Sequence, residues 1–223
     1  MPSNHHTNSK WLKEYKSKLF LTDLQKEVLI GTLLGDGSIK ISVSGKAARL
    51  QICHSFDYKE YVFWKKSIFK EWVLSGPKYY KVNNSLIFRT MFYINKVKII
   101  PKDINNILKS DLSLAVWFMD DGNGYRKNDA FRLSTYAFRY NGNLLLQKCL
   151  LKNFGIKTSL IKDSKGYQIY IPITGGVSDR FKKLIYKYII PKMRYKFRSI
   201  SPVETDSKEE IVWNTTIICQ LPI

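Results

Sequence analysis

The strongest constraint on this chain is an internal repeat. Two apolar segments end in an acid followed by glycine, at Asp36-Gly37 and Asp121-Gly122, 121 − 36 = 85 residues apart. Residues 22–34 (TDLQKEVLIGTLL) open on Thr22, an N-cap residue, with Glu27 a few residues on. Leu24, Val28, Leu29, Gly31, Thr32 and Leu33 then follow at helical spacing before Gly35-Asp36-Gly37. Residues 111–119 (DLSLAVWFM) open on Asp111 or Ser113 and run into Asp120-Asp121-Gly122.

The same succession follows each segment. In the first half come strands SIKISV and RLQICHSF, a helix over 57–74, and strands KYYKV and SLIFRTMFY around Asn83-Asn84. In the second half come AFRLSTYAF, a helix over 141–156, strands KTSLI and YQIYI, and a helix over 177–190 stopped by Pro191. The pattern predicts an α+β fold of two pseudo-symmetric αββαββα halves. The first half is residues 1–97, with an N-terminal helix. Residues 98–110 are a linker broken at Pro101, and residues 111–198 form the second half. Residues 199–223 are an extension, acidic and then apolar, to which the pattern assigns no role.

Charge says what such a body meets. Lys and Arg number 37 against 18 Asp and Glu, a net +19 on a chain that is 44% hydrophobic and so able to bury a core. Residues 1–110 carry 19 basic and 8 acidic side chains, residues 111–223 carry 18 and 10, so both halves share the excess. That distribution calls for one long polyanion touching both halves, with nucleic acid as the first candidate and a membrane surface as the second. The outward strand positions Lys40, Arg49, Gln51, Lys81, Arg89, Arg132, Ser134 and Tyr136 could lie along a DNA groove; singly, each also suits an ordinary wet sheet face. No run approaches 18 apolar residues, and the N-terminus has no apolar signal region, so no membrane anchor is expected. Three distant cysteines (Cys53, Cys149, Cys219) argue against a disulfide framework. Only His5, His6 and His54, with no CxxC, argue against a zinc finger or a zinc hydrolase too.

The chemistry concentrates at Asp36 and Asp121. Each carboxylate stands at the C-terminal end of its helix, where the dipole disfavours negative charge by about 0.3–1 kcal/mol. A glycine after each is suited to a left-handed cap. One Asp-Gly is an ordinary turn; two at matching places of a repeat are explained if a divalent cation offsets the repulsion. Mg²⁺ takes one or two carboxylates together with water and phosphate oxygens. Gly31, Thr32, Ser113 and Ala115 are small residues that let the two helices pack side by side, which would bring both acids out at one end.

VLIGTLLGDG (28–37) and LAVWFMDDG (114–122) resemble the two copies of the LAGLIDADG motif. The chain is thus similar to the two-motif, monomeric LAGLIDADG homing endonucleases over about residues 10–198. The resemblance implies two motif helices at the interface and a four-stranded antiparallel DNA-binding saddle in each half. It implies metal ligation by Asp36 and Asp121, assisted by the backbone carbonyls of Gly35 and Asp120, with Lys98 and Lys196 as catalytic lysines. The activity implied is Mg²⁺-dependent cleavage of both strands of a long double-stranded DNA target, leaving short 3′ extensions. It implies action in the organelle of origin, a mitochondrion rather than a chloroplast. The alternative is an RNA-binding maturase assisting splicing of its host group I intron, which needs neither the acids nor the lysines. A third is a DNA-binding regulator that does not cut.

Overall fold

The structure, a computed structural model, describes residues 10–41, 48–91, 101–125 and 129–197. Its elements run α1 (Lys10–Ser17), α2 (Asp23–Leu34), β1 (Ser38–Ile41), β2 (Ala48–Ser55), α3 (Lys59–Ile68), β3 (Lys78–Tyr80) and β4 (Ser85–Arg89). The second half follows as α4 (Ile104–Ile107), α5 (Asp111–Asp121), β5 (Gly122–Tyr125), β6 (Ala130–Leu133), α6 (Arg139–Phe154), β7 (Ser159–Asp163), β8 (Gly166–Ile171) and α7 (Val177–Ile185). Short single-turn helices join several of them.

The repeat is visible in the sheets. Each half holds a four-stranded antiparallel sheet, ordered β1-β2-β4-β3 in one and β5-β6-β8-β7 in the other. Leu50, Ile52, Leu86 and Phe88 of the first sheet point into the core, as do Phe131, Leu133, Ile169 and Ile171 of the second. Helices cover those faces, and one apolar core runs through both halves. No helix among the described residues is long and apolar enough to cross a membrane.

The centre of the molecule is the α2–α5 pair. Thr22 caps α2 with Gln25 as reciprocal partner rather than Glu27: Gln25 N donates to Thr22 Oγ1 at 3.2 Å and Thr22 N to Gln25 Oε1 at 3.1 Å. Ser110, not Asp111 or Ser113, caps α5. Ser113 is freed to donate across the interface to the Glu27 carbonyl at 2.8 Å. Helix α5 is buried on all sides from Leu112 to Asp120, as expected of a helix with no polar face. A Cβ on Gly31 would meet Val116 Cβ at 2.6 Å, so the two backbones approach as only glycine permits.

Several expectations are corrected. Gly37 does not take the left-handed cap, and Gly122 sits at φ −91, ψ 156. Both are glycines for want of room: added Cβ atoms would press on Thr32 Cγ2 at 2.7 Å and Phe118 Cε2 at 2.7 Å. Helix α3 ends at Ile68 instead of continuing to Leu74, which lets Trp72 turn back and donate its indole N–H to Gln25 Oε1 at 3.3 Å. Strand β5, with two glycines and weak propensity of its own, is made by pairing with β6. β6 stops at Leu133, and residues Tyr136–Phe138 form a turn. Lys81 also leaves its strand for the turn Lys81–Asn83, which closes on Asn84 at φ 46.

Candidate active site at the ends of the paired helices

Helices α2 and α5 deliver their acids to one place. Asp36 and Asp121 line a single cleft of about 210 Å³ together with Gly35, Ser134 and the apolar side chains of Leu34 and Phe138. The Asp36 side chain is 45% exposed, and Asp121 is half-buried. Ser134 N donates to the Asp121 carbonyl at 2.9 Å, so Ser134 belongs to the wall of this cleft.

Sequence reasoning missed what lies beneath it. The Asp120 carboxylate is fully buried and points away from the cleft, across the helix interface. Gly35, its counterpart in the other motif, makes the room: a Cβ there would meet Asp120 Oδ2 at 2.8 Å. Asp120 accepts from Lys65 Nζ at 2.8 and 2.9 Å, from the Tyr61 hydroxyl at 2.8 Å and from the backbone N–H of Asp36 at 3.3 Å. Lys65 is itself fully buried; burial lowers its pKa, against the opposing pull of Asp120. Burial, and then the charge of Asp120, hold the Tyr61 phenol well above its usual range. The one sequence signal was a lysine on the apolar side of α3, in phase with Tyr61 and Ile68.

His54, at the end of β2, completes the cluster. Its Nε2 lies 3.4 Å from Lys65 Nζ, and its Nδ1 lies 3.5 Å from Asp36 Oδ2. Burial first, and then the Lys65 charge, push its pKa down to about 4, so the ring is neutral at physiological pH. Asp36, His54 and Asp120 bring ligand atoms within 4.8 Å of one another, a grouping that could hold a metal ion. On the Asp120 side, however, the Lys65 ammonium already contacts both carboxylate oxygens and approaches His54 Nε2. The cation of that buried pocket is the lysine. The acids that line the open cleft are Asp36 and Asp121.

Of the two expected lysines, Lys98 lies outside the described residues. Lys196 arrives from the turn Pro191–Phe197 and caps the end of α5, donating to the carbonyls of Met119 at 2.5 Å, Asp120 at 3.0 Å and Phe118 at 3.5 Å. Burial lowers its pKa, while Asp120, Asp36 and Asp121 pull it back up. The Asp120 carbonyl is thus engaged by Lys196, and Gly35 lines the cleft.

The other sequence-predicted positions divide by register. Lys40 opposes Arg49, and Gln51 opposes both Ser38 and Arg89, so Lys40, Arg49, Gln51 and Arg89 share the face opposite the core. Arg89 Nε donates to Gln51 Oε1 at 2.8 Å. In the other sheet Arg132 opposes Asn123 and Tyr170 and donates to Asn123 Oδ1 at 2.7 Å. Tyr136, though off the strand, returns its hydroxyl to that face, where it meets Asp163 Oδ2 at 2.6 Å and Gln168. The first sheet thus turns a basic, hydrogen-bonding face outward and the second a polar one that carries Arg132 and Asp163, and the acid-lined cleft lies where the two halves meet.

Residues 26–177 match the LAGLIDADG DNA endonuclease family. The chain is 32% identical over 213 residues to the probable intron-encoded endonuclease 1 of Wickerhamomyces canadensis, covering 85% of this chain and 90% of that protein. It is 28% identical to the cytochrome b mRNA maturase bI2 of Debaryomyces hansenii, covering 76% of this chain and 72% of that protein. Its structure is similar to that of the homing endonuclease I-WcaI bound to its DNA recognition sequence, with a TM-score of 0.73 and 31% identity over 86% of this chain and 93% of that one. Because the match takes in both motif helices and the acids they carry, the chain belongs to the LAGLIDADG DNA endonuclease family.

Proposed function

We infer that this nuclease is a site-specific homing endonuclease, cutting both strands of a long double-stranded DNA and leaving short 3′ extensions. The observation that carries the reading is the meeting of Asp36 and Asp121 in one cleft between two polar, arginine-bearing sheet faces. A duplex laid across both faces would present its phosphodiesters to that cleft, which explains why the +19 charge is split between the halves. The whole target, rather than a few bases, is read by residues such as Lys40, Arg49, Gln51, Arg89, Arg132 and Tyr136, with Lys81 reaching in from its turn.

Asp36 and Asp121, assisted by the Gly35 carbonyl, would hold Mg²⁺, which supplies activated water and charge neutralisation at the phosphate. The protein's part is positional. The α2–α5 pair sets the spacing of the two carboxylates. Ser134 and Lys196 hold the backbone at the end of α5 and so aim Asp121. Lys196 and Lys98 would place positive charge where negative charge develops on the phosphate. Release of the Asp120 carbonyl by Lys196 would let it assist the two carboxylates.

The test is a plasmid carrying the uninterrupted insertion site, incubated with the purified protein and Mg²⁺. Linear product is expected, and Asp36→Asn and Asp121→Asn should bind the site but fail to linearise it; intact double-strand cutting by either variant overturns the assignment. The maturase relative favours one second reading, assistance to splicing of a host group I intron. Splicing of that intron with and without the protein separates the two. The relatives named for introns and for cytochrome b mRNA support an organellar site of action, a mitochondrion ahead of a chloroplast.

A further inference from the structure

The two acids of the cleft are supported differently. On the Asp36 side a chain of polar groups, all buried up to Asp36 itself, leads from α5 through α3 and β2 to the carboxylate. Asp120 holds the Asp36 backbone N–H at 3.3 Å and takes both short contacts from Lys65. Lys65 then faces His54 Nε2 at 3.4 Å, and His54 Nδ1 faces Asp36 Oδ2 at 3.5 Å. Asp120 Oδ1 also faces Nε2, at 3.7 Å, but the ammonium is nearer and has protons to donate and no lone pair, so the ring nitrogen opposite it is the acceptor. That fixes the neutral tautomer: Nε2 is bare, and Nδ1 carries the hydrogen that points at Asp36. The two outer contacts are long, as catalytic hydrogen bonds often are before substrate is loaded.

The counterpart positions carry other chemistry. Gly35 stands where the second motif has Asp120. In register, Gly122 opposes Leu133, and one step beyond Ser38–Gln51 sets Gly37 opposite Ile52, so Thr135 is the counterpart of His54. Thr135 turns its hydroxyl to Asn143 and the Tyr167 carbonyl. The buried side chains of α6 are Asn143, Leu146, Cys149, Leu150 and Phe154, none of them charged.

We propose that Asp120, Lys65 and His54 form a positioning device dedicated to Asp36: the ion pair sets the His54 tautomer, and the Nδ1–H holds the Asp36 carboxylate in its working rotamer. The consequence is functional asymmetry. The strand served by Asp36 depends on the device, and the strand served by Asp121 does not. The inference rests on the reading of Asp36 and Asp121 as the metal-holding acids.

Two experiments test it. In the metal-free protein with ¹⁵N-labelled histidine, long-range ¹H–¹⁵N spectra report each ring's tautomer. The His54 signal is assigned by its loss in His54→Asn. The Nδ1–H form is expected, and the Nε2–H form overturns the proposal. With end-labelled target duplex and Mg²⁺, the two strands are followed separately. His54→Ala should slow one strand at least tenfold and the other less than threefold, with DNA affinity and melting temperature near wild type. His54→Asn, whose amide N–H₂ falls close to the place of Nδ1, should restore most of the lost rate. Equal slowing of both strands, or no advantage of Asn over Ala, overturns the device while leaving the nuclease intact. A wild-type protein that cuts neither strand overturns the nuclease reading, and the device with it.

Discussion

At the scale of single residues, Lys65 is the most exacting position in the molecule. It lies beneath the cleft with no exposure, and its charge is met by both oxygens of Asp120 within 2.9 Å. Removing one partner strands the other, so Lys65→Met should lower stability by about 3–5 kcal/mol. The double variant Lys65→Met/Asp120→Leu should recover most of that loss, because two apolar groups can replace a buried pair at little net cost. Urea unfolding of the three proteins measures both effects. Cys149 offers a second case. Buried against α4, its thiol has its pKa raised to about 11, chiefly by desolvation. Above the unfolded value of 9.0 the unfolded chain releases the proton while the folded chain retains it. Its contribution is therefore full below pH 9 and is lost as pH rises towards 11, on the order of 2 kcal/mol. Between pH 8 and 10.5 the urea midpoint should fall further for wild type than for Cys149→Ala.

At the scale of elements, the α2–α5 interface decides whether the two acids meet. Gly31 packs onto Val116, and Ser113 hydrogen-bonds the Glu27 carbonyl across the same seam. Gly31→Val adds atoms where a single Cβ already overlaps its neighbours. It should force the helices apart, cost about 1–3 kcal/mol and reduce cleavage more than DNA affinity, because the sheets stay in place while the acids separate. Melting temperature, binding and cutting measured on that variant distinguish this from global unfolding. Ser113→Ala removes one interhelical hydrogen bond and should cost only about 1 kcal/mol, with cutting retained.

For the whole molecule, an outward hydrogen-bonding sheet face in each half implies that DNA binding is shared. Arg49 on one sheet is exposed, and Arg132 on the other is half-buried beside Asn123 on the face opposite the core. Replacing either by Ala should weaken binding. If the lost contact is to phosphate, the slope of log K against log salt should fall by about 0.9 for each. Because the sites lie on separate sheets, the two losses should add in the double variant. A titration at several salt concentrations reads all three.

The repeat, the acids and the sharing of charge were legible in the chain, since each is a matter of neighbours in sequence: a 3.6-residue period, an Asp-Gly at its end, a count of lysines. Two copies of such a signal imply two halves and a common interface before any contact is known. Capping partners and strand ends were less legible. Ser110 rather than Asp111 caps α5, and β5 borrows its order from β6, because competing local choices of similar energy are settled by packing. Asp120 was hidden for a stronger reason. Its sequence neighbours make it look like a second cleft acid, while its partners Lys65 and Tyr61 lie 55 and 59 residues away on another element. A carboxylate's role follows from which cation shares its dry surroundings, and that is settled by how helices cross, at the spot where Gly35 leaves room for it.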